Sequence, residues 1–292
     1  MDSLALALIV NTLALGAAYT LVAVGFVLVL NAAGAVNFAH GDLVMAGGFA
    51  AIMLGGILPL PALALLPAVV AIMAVLGLLV SLIAYFPVAG GPPASLFVTT
   101  IAVGAMLQHG ALALFGAEPR SGPPIATNDP IAILGAAVGR DSIVIILAAV
   151  VLVGALALFL YRTQIGRALR ATAQDREMAR AIGIRVHHMI ALAFALGAAL
   201  AGVAGLLLAP RYFMSPAEGG PLMLKAYIAA TLGGWGNMGG AVVGAMTVAA
   251  FQVLVSRFVS YTAAEALLYG GILVLLVFRP QGLFGEASRR RA

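Results

Sequence analysis

Apolar side chains along the chain come in long unbroken runs, not at alternate positions. The runs cover 4–30, 43–58, 61–86, 95–115, 143–161, 189–209, 222–232, 241–255 and 263–278. An α-helix needs about 20 apolar residues to cross a hydrocarbon core, whereas a barrel strand alternates over about ten. The pattern therefore predicts an all-α integral membrane protein, a polytopic bundle of about eight or nine transmembrane helices. The runs at 222–232 and 241–255 are short. The Gly-dense LGGWGNMGGA between them, with Gly233, Gly234, Gly236 and Gly239 as break residues, reads either as a turn or as the bend of one discontinuous helix.

Polar positions interrupt the pattern most clearly at residues 31–42, NAAGAVNFAHGD. At membrane depth, irregular backbone needs partners for its exposed N–H and C=O groups. Asn37, His40 and Asp42 are placed to supply them, with Asp42 expected as N-cap of the second span. LALGAA at 13–18 and FALGAA at 194–199 are similar, and each run leads into a marked break, the second being PRYFMSPAEGGP. With the first helix starting outside and the sixth inside, the halves would form an inverted repeat, an arrangement that brings broken helices together near a substrate path.

Composition narrows the class. Hydrophobic residues make up 63% of the 292 and charged ones 9%, with a mean hydropathy of +1.14; a soluble domain needs far more surface charge. We expect one transmembrane domain over 1–292. The N-terminus lacks the basic n-region of a secretory signal and is expected to be a retained helix. The net charge of +5 does not point to nucleic acid, because the basic residues are concentrated. Arg162, Arg167, Arg170, Arg176, Arg180 and Arg185 share one loop, and Arg279, Arg289, Arg290 and Arg291 lie at the C-terminus. By the positive-inside rule both regions face the cytoplasm, which puts the N-terminus outside.

The basic loop, 162–188, carries good helix formers. Two short helices fit it. One puts Ile165, Leu169 and Thr172 on a common side; the other is capped by Asp175 and stopped by Gly183. With Arg167, Arg170, Arg176 and Arg180 exposed, the pair suits either anionic lipid or a groove in a partner subunit.

Glu177, Ala179 and Gly183 spell E-x-A-x-x-x-G, which resembles the EAA-type coupling loop of ABC importer permeases. GAAYTLVAVGFVLVLNAAGAVNFAHGDLVMAGGF, TQIGRALRATAQDREMARAIGI, LKAYIAATLGGWGNMGGAVVGA and VFRPQGLFG, in that order, resemble branched-chain amino acid ABC transporter permeases of the LivH type. The resemblance implies a type II importer architecture in a prokaryotic inner membrane. It also implies a second homologous permease, two ABC ATPase subunits and an extracytoplasmic solute-binding protein as partners. It places Gly166, Arg167, Arg170, Ala171, Asp175, Glu177, Ala179 and Gly183 on the coupling segment. The loop YFPVAGGPPA at 85–94 departs from the family by lacking arginine.

No GxxxxGK[ST] phosphate cradle occurs, so the chain is not its own motor. No cofactor, metal site or catalytic group is expected: cysteine is absent and there is no HExxH or carboxylate cluster. Candidates for lining the path are Asn37, His40, Thr99, Gln108 and Lys225. Thr100 and Gln252 also lie in apolar runs, and Lys225 has the alternative of snorkelling outward. The rival to an importer of amino acids or similar small polar solutes is an ion-coupled secondary transporter. It would need carboxylates within the spans, where only Asp42 and Glu265 come near helix depth.

Overall fold

The computed structural model describes residues 3–125, 131–133 and 136–278. The motif VFRPQGLFG beyond Phe278 and the C-terminal arginines lie outside them. The spanning elements are α1 (Ser3–Ala33), α2 (His40–Ile57), α3 (Ala62–Val80), α4 (Pro93–Phe115) and α5 (Arg140–Arg162). The basic loop forms α6 (Gln164–Gln174) and α7 (Arg176–Ala181). Then follow α8 (Val186–Tyr212), α9 (Gly219–Leu232), α10 (Met238–Val255) and α11 (Tyr261–Phe278). A small antiparallel pair, β1 (Ile131–Ile133) and β2 (Ala136–Val138), precedes α5.

Seven of these helices, α1 to α5, α8 and α10, are long and apolar enough to cross a membrane. With 14 residues, α9 rises only about 21 Å. The chain is a multi-pass membrane protein.

At the centre stand α1 and α8, apolar on every side and buried over most of their length. Around them α5 and α10 pack on α1, and α2 and α3 on α8. In lipid, close packing of backbones does the work that hydrophobic collapse does in water. The α2–α8 contact shows this directly: a Cβ at Gly47 would collide with the backbone of Gly202, and one at Gly205 with Val44 O. Val75, Ile83, Val98, Leu114, Val150 and Leu158 stay exposed on α3, the turn after it, α4 and α5, as lipid-facing side chains should.

A π-turn, Ser81–Tyr85, and a 3-10 turn, Phe86–Val88, extend α3. Between α9 and α10 the Gly-dense segment is a tight hairpin, so the discontinuous-helix alternative is set aside. Gly233 packs on Gly240, Gly244 packs on Ala229, and Gly234 and Gly236 take φ values of +87° and +82°. Gly239 is no break residue; it lies in the first turn of α10. Asn237 caps that helix by accepting a 2.9 Å bond from Gly240 N–H.

Candidate functional site

Gly34, at φ +63°, turns the chain back after α1. Residues 34–39 then descend along the helix they have just left, and α2 begins against its middle, where His40 Nε2–H donates to Val22 O at 3.0 Å. His40 is fully buried, its ring edge-on to Phe26. Asn37 Oδ1 accepts from Ala39 N–H at 3.1 Å, and Phe38 N–H donates to Thr100 Oγ1 at 3.2 Å. The irregular backbone thus finds the partners that membrane depth requires. Asp42 is not the N-cap. The cap position is Ala39, which has no cap-forming side chain, and Asp42 falls in the first turn of α2, where a carboxylate is favoured by the helix dipole.

After α8 the chain makes the same move from the opposite end. Residues 213–218 turn back past Met214, which bridges to Arg120, and α9 begins at Gly219 directly against Asp42 and Gly41. From this meeting point α2 runs toward the end where α8 finishes, Gly48 packing on Met214. By contrast α9 runs toward the end where α1 finishes, where Asn31 Nδ2 donates to Gly236 O at 2.8 Å. Two oppositely directed helices therefore start at one place, against the middle of α1.

A cavity of about 690 Å³ opens at that place. Its walls are Phe38 and Asp42 from the first break, Ile101, Ala105 and Gln108 from α4, Gly220, Pro221, Met223, Leu224 and Tyr227 from α9, and Tyr269 from α11. This size suits a small-molecule site. Of the sequence candidates, Gln108 and Asp42 face it. Asn37 and His40 are buried beside it, with Asn37 Nδ2 and His40 Nδ1 unpartnered among the described residues. Thr99 is turned away, its hydroxyl donating to Ala84 O of the π-turn at 2.9 Å. Tyr227 and Tyr269 escaped the sequence reading; a lone phenol in the apolar run 263–278 was the available signal.

Lys225 neither snorkels nor lines this cavity. It lies 3% exposed on the other side of α9, ion-paired with Glu265 and within 3.3 Å of Tyr261 Oη, its ammonium 5.7 Å from the Tyr19 ring. Tyr19 in turn donates to Gln252 Oε1 at 2.8 Å. Glu265, which the sequence puts near helix depth, is a half-buried member of this cluster.

At the end where α1 finishes, the basic loop forms its two helices. Thr163 caps α6 by accepting from Gly166 N–H, and Asp175 caps α7 by accepting from Glu177 and Met178 N–H at 2.9 and 3.0 Å. Gly183, at φ +84°, ends the pair. Gly166, Leu169, Thr172 and Ala179 face inward, whereas Ile165 is exposed. Two arginines expected to be free are engaged. Arg170 donates to Leu160 O at 3.1 Å and stacks on Tyr161. Arg176 donates to Tyr85 Oη at 3.2 Å and covers Gly34. Ala171 is half-buried, while Arg167, Asp175, Glu177, Arg180 and Gly183 remain exposed, with Met178 and Ile182 standing out between them.

Residues 8–277 match the model of a family described as branched-chain amino acid transport system / permease component. The permease protein BraD of a high-affinity branched-chain amino acid transport system of Pseudomonas aeruginosa is 29% identical, over 95% of both chains. LivH from the corresponding Escherichia coli system is 30% identical over 94% of both. LivM, another permease of that system, is 34% identical over 42% of this chain and 29% of its own. No solved structure matches. Together with a helical, multi-pass architecture, a match over nearly the whole length means that the chain belongs to the branched-chain amino acid transport permeases, as an ABC importer permease subunit and not an enzyme.

Proposed function

We propose that the chain is one half of a two-permease pore that passes branched-chain amino acids, or closely similar small solutes, inward by alternating access. The observation that carries this reading is the meeting of two oppositely directed helices, α2 and α9, at one cavity: it is the place where a modest rocking of one half against the other would open or close a path. A second related permease would complete the wall on the side where α4, α9 and α11 leave the cavity open. The basic loop would face the cytoplasm, and an extracytoplasmic solute-binding protein would deliver cargo at the opposite end.

Two ABC ATPases supply the energy in this reading, one of them docking on α6 and α7. Met178 and Ile182, one helical turn apart and 63% and 71% exposed, form an apolar knob, and Arg167, Glu177 and Arg180 surround it with charge. Arg170, Arg176 and Asp175 act differently: Arg170 bonds the pair to α5, Arg176 bonds it to Tyr85 across Gly34, and Asp175 caps α7, so that a push on the knob reaches the first break through Arg176 and Gly34.

The test is reconstitution of the chain with its neighbouring-gene partners in proteoliposomes. Leucine uptake should require ATP and the binding protein. Met178→Asp with Ile182→Asp should cut uptake by about tenfold or more, because burying charge in an apolar interface is costly, while the permease still inserts. Normal uptake in that double variant would overturn the docking assignment.

A further inference from the structure

The cavity where α2 and α9 meet holds a carboxylate with no cation to answer it. Asp42 makes no ion pair among the described residues, and the nearest ammonium on α9, that of Lys225, is committed to Glu265. A charged group at this depth is expensive unless a partner or a water-filled cavity receives it. The carboxylate also rests in a slot cut for it: a Cβ at Gly104 or at Gly219 would collide with its oxygens.

Next to Asp42, α9 begins with no side-chain cap, so the positive end of that helix lies beside the carboxylate. The carboxylate and the start of α9 thus adjoin one another, and the rest of the wall is apolar at Phe38, Ile101, Met223 and Leu224, with an amide at Gln108 and the rings of Tyr227 and Tyr269.

We propose that Asp42 is the ammonium-recognising residue of the path. The ammonium of an α-amino acid is held by the Asp42 carboxylate. Its carboxylate faces the start of α9, and its aliphatic side chain lies on the apolar wall. The membrane subunit itself then selects zwitterionic aliphatic amino acids over uncharged amides of the same size. This assignment rests on the import reading above and adds the group that reads the cargo.

Leucine transported per ATP hydrolysed is the measurement, made on the full complex in proteoliposomes with leucine-loaded binding protein. Asp42→Asn should lower this ratio by about tenfold or more, the usual weight of a charge-assisted hydrogen bond, and Asp42→Glu should recover most of it. A purely structural role would lower uptake and hydrolysis together and leave the ratio unchanged, which overturns the proposal, as does a normal Asp42→Asn variant. Should Asp42→Asn not assemble with its partners, Leu224→Asn on the apolar wall carries the test: a fall of about threefold supports the assignment and an unchanged ratio overturns it. Failure of the wild-type complex to import leucine would be a different result, removing the import reading and this assignment with it.

Discussion

Lys225 occupies an apolar stretch of sequence that permits three destinations: the headgroups, the path or a buried partner. The choice was made by Glu265 on α11 and Tyr19 on α1, both far away in sequence, which no local pattern reveals. Because the ammonium is 4% and its partner 20% exposed at the side chain, removing one member leaves the other short of compensation. Lys225→Met should cost about 2 kcal/mol or more and lower the melting temperature of the detergent-purified complex. Adding Glu265→Leu should restore much of it, since an apolar pair of similar volume needs no compensation. If the double variant melts below the single one, the ion pair is not what ties α9 to α11. The same reasoning explains the misplaced roles of Thr99 and Arg176. Each was named from residue type, and each found a backbone or phenol partner on a neighbouring element.

Helices were the legible level. The apolar runs mark α1 to α5 and α8 to α11 to within a few residues, and Asp175 and Gly183 bound α7 because capping and left-handed backbone are local demands with local residue preferences. Where α2 begins was not legible. Ala39 offers no cap signal, and the descent of residues 34–39 to the level of Val22 is set by tertiary bonds from His40 and Thr100. The likeness of LALGAA and FALGAA did point to two matching breaks, yet nothing local says that Asp42 and Gly219 touch.

Caps and close approaches give tests at this level. Asp175→Ala removes the acceptor of two backbone N–H groups and should destabilise α7 by about 1 kcal/mol, seen as faster amide exchange at Glu177 and Met178. Gly202→Leu places a large side chain where Gly47 and Met73 already meet α8. It should cost about 1–3 kcal/mol or block assembly, measured as loss of folded protein in detergent.

At the scale of the whole molecule, each broken segment joins a short non-α-helical stretch to a helix that runs on to the opposite end. Residues 34–39 enter from the basic end and α2 completes the passage; residues 213–218 enter from the other end and α9 completes it. Counting these as one passage each puts α6 and α7 at one end, with the end of α2 and the Arg211–Asp141 ion pair, 3.4 Å long, at the other. The six arginines of the basic loop argue for the proposed orientation, with the loop in the cytoplasm. Absence of cysteine makes the orientation directly measurable with one introduced thiol at a time. Ile57, 69% exposed at the end of α2, and Ile182, 71% exposed after α7, are suitable positions. A membrane-impermeant maleimide added to intact spheroplasts should label Ile57→Cys and spare Ile182→Cys, and inside-out vesicles should give the reverse. Labelling of both from one side would break the two-ended architecture. A clean exchange of the pattern would keep the architecture but turn the chain over, moving the proposed ATPase dock on α6 and α7 to a side that holds no ATP.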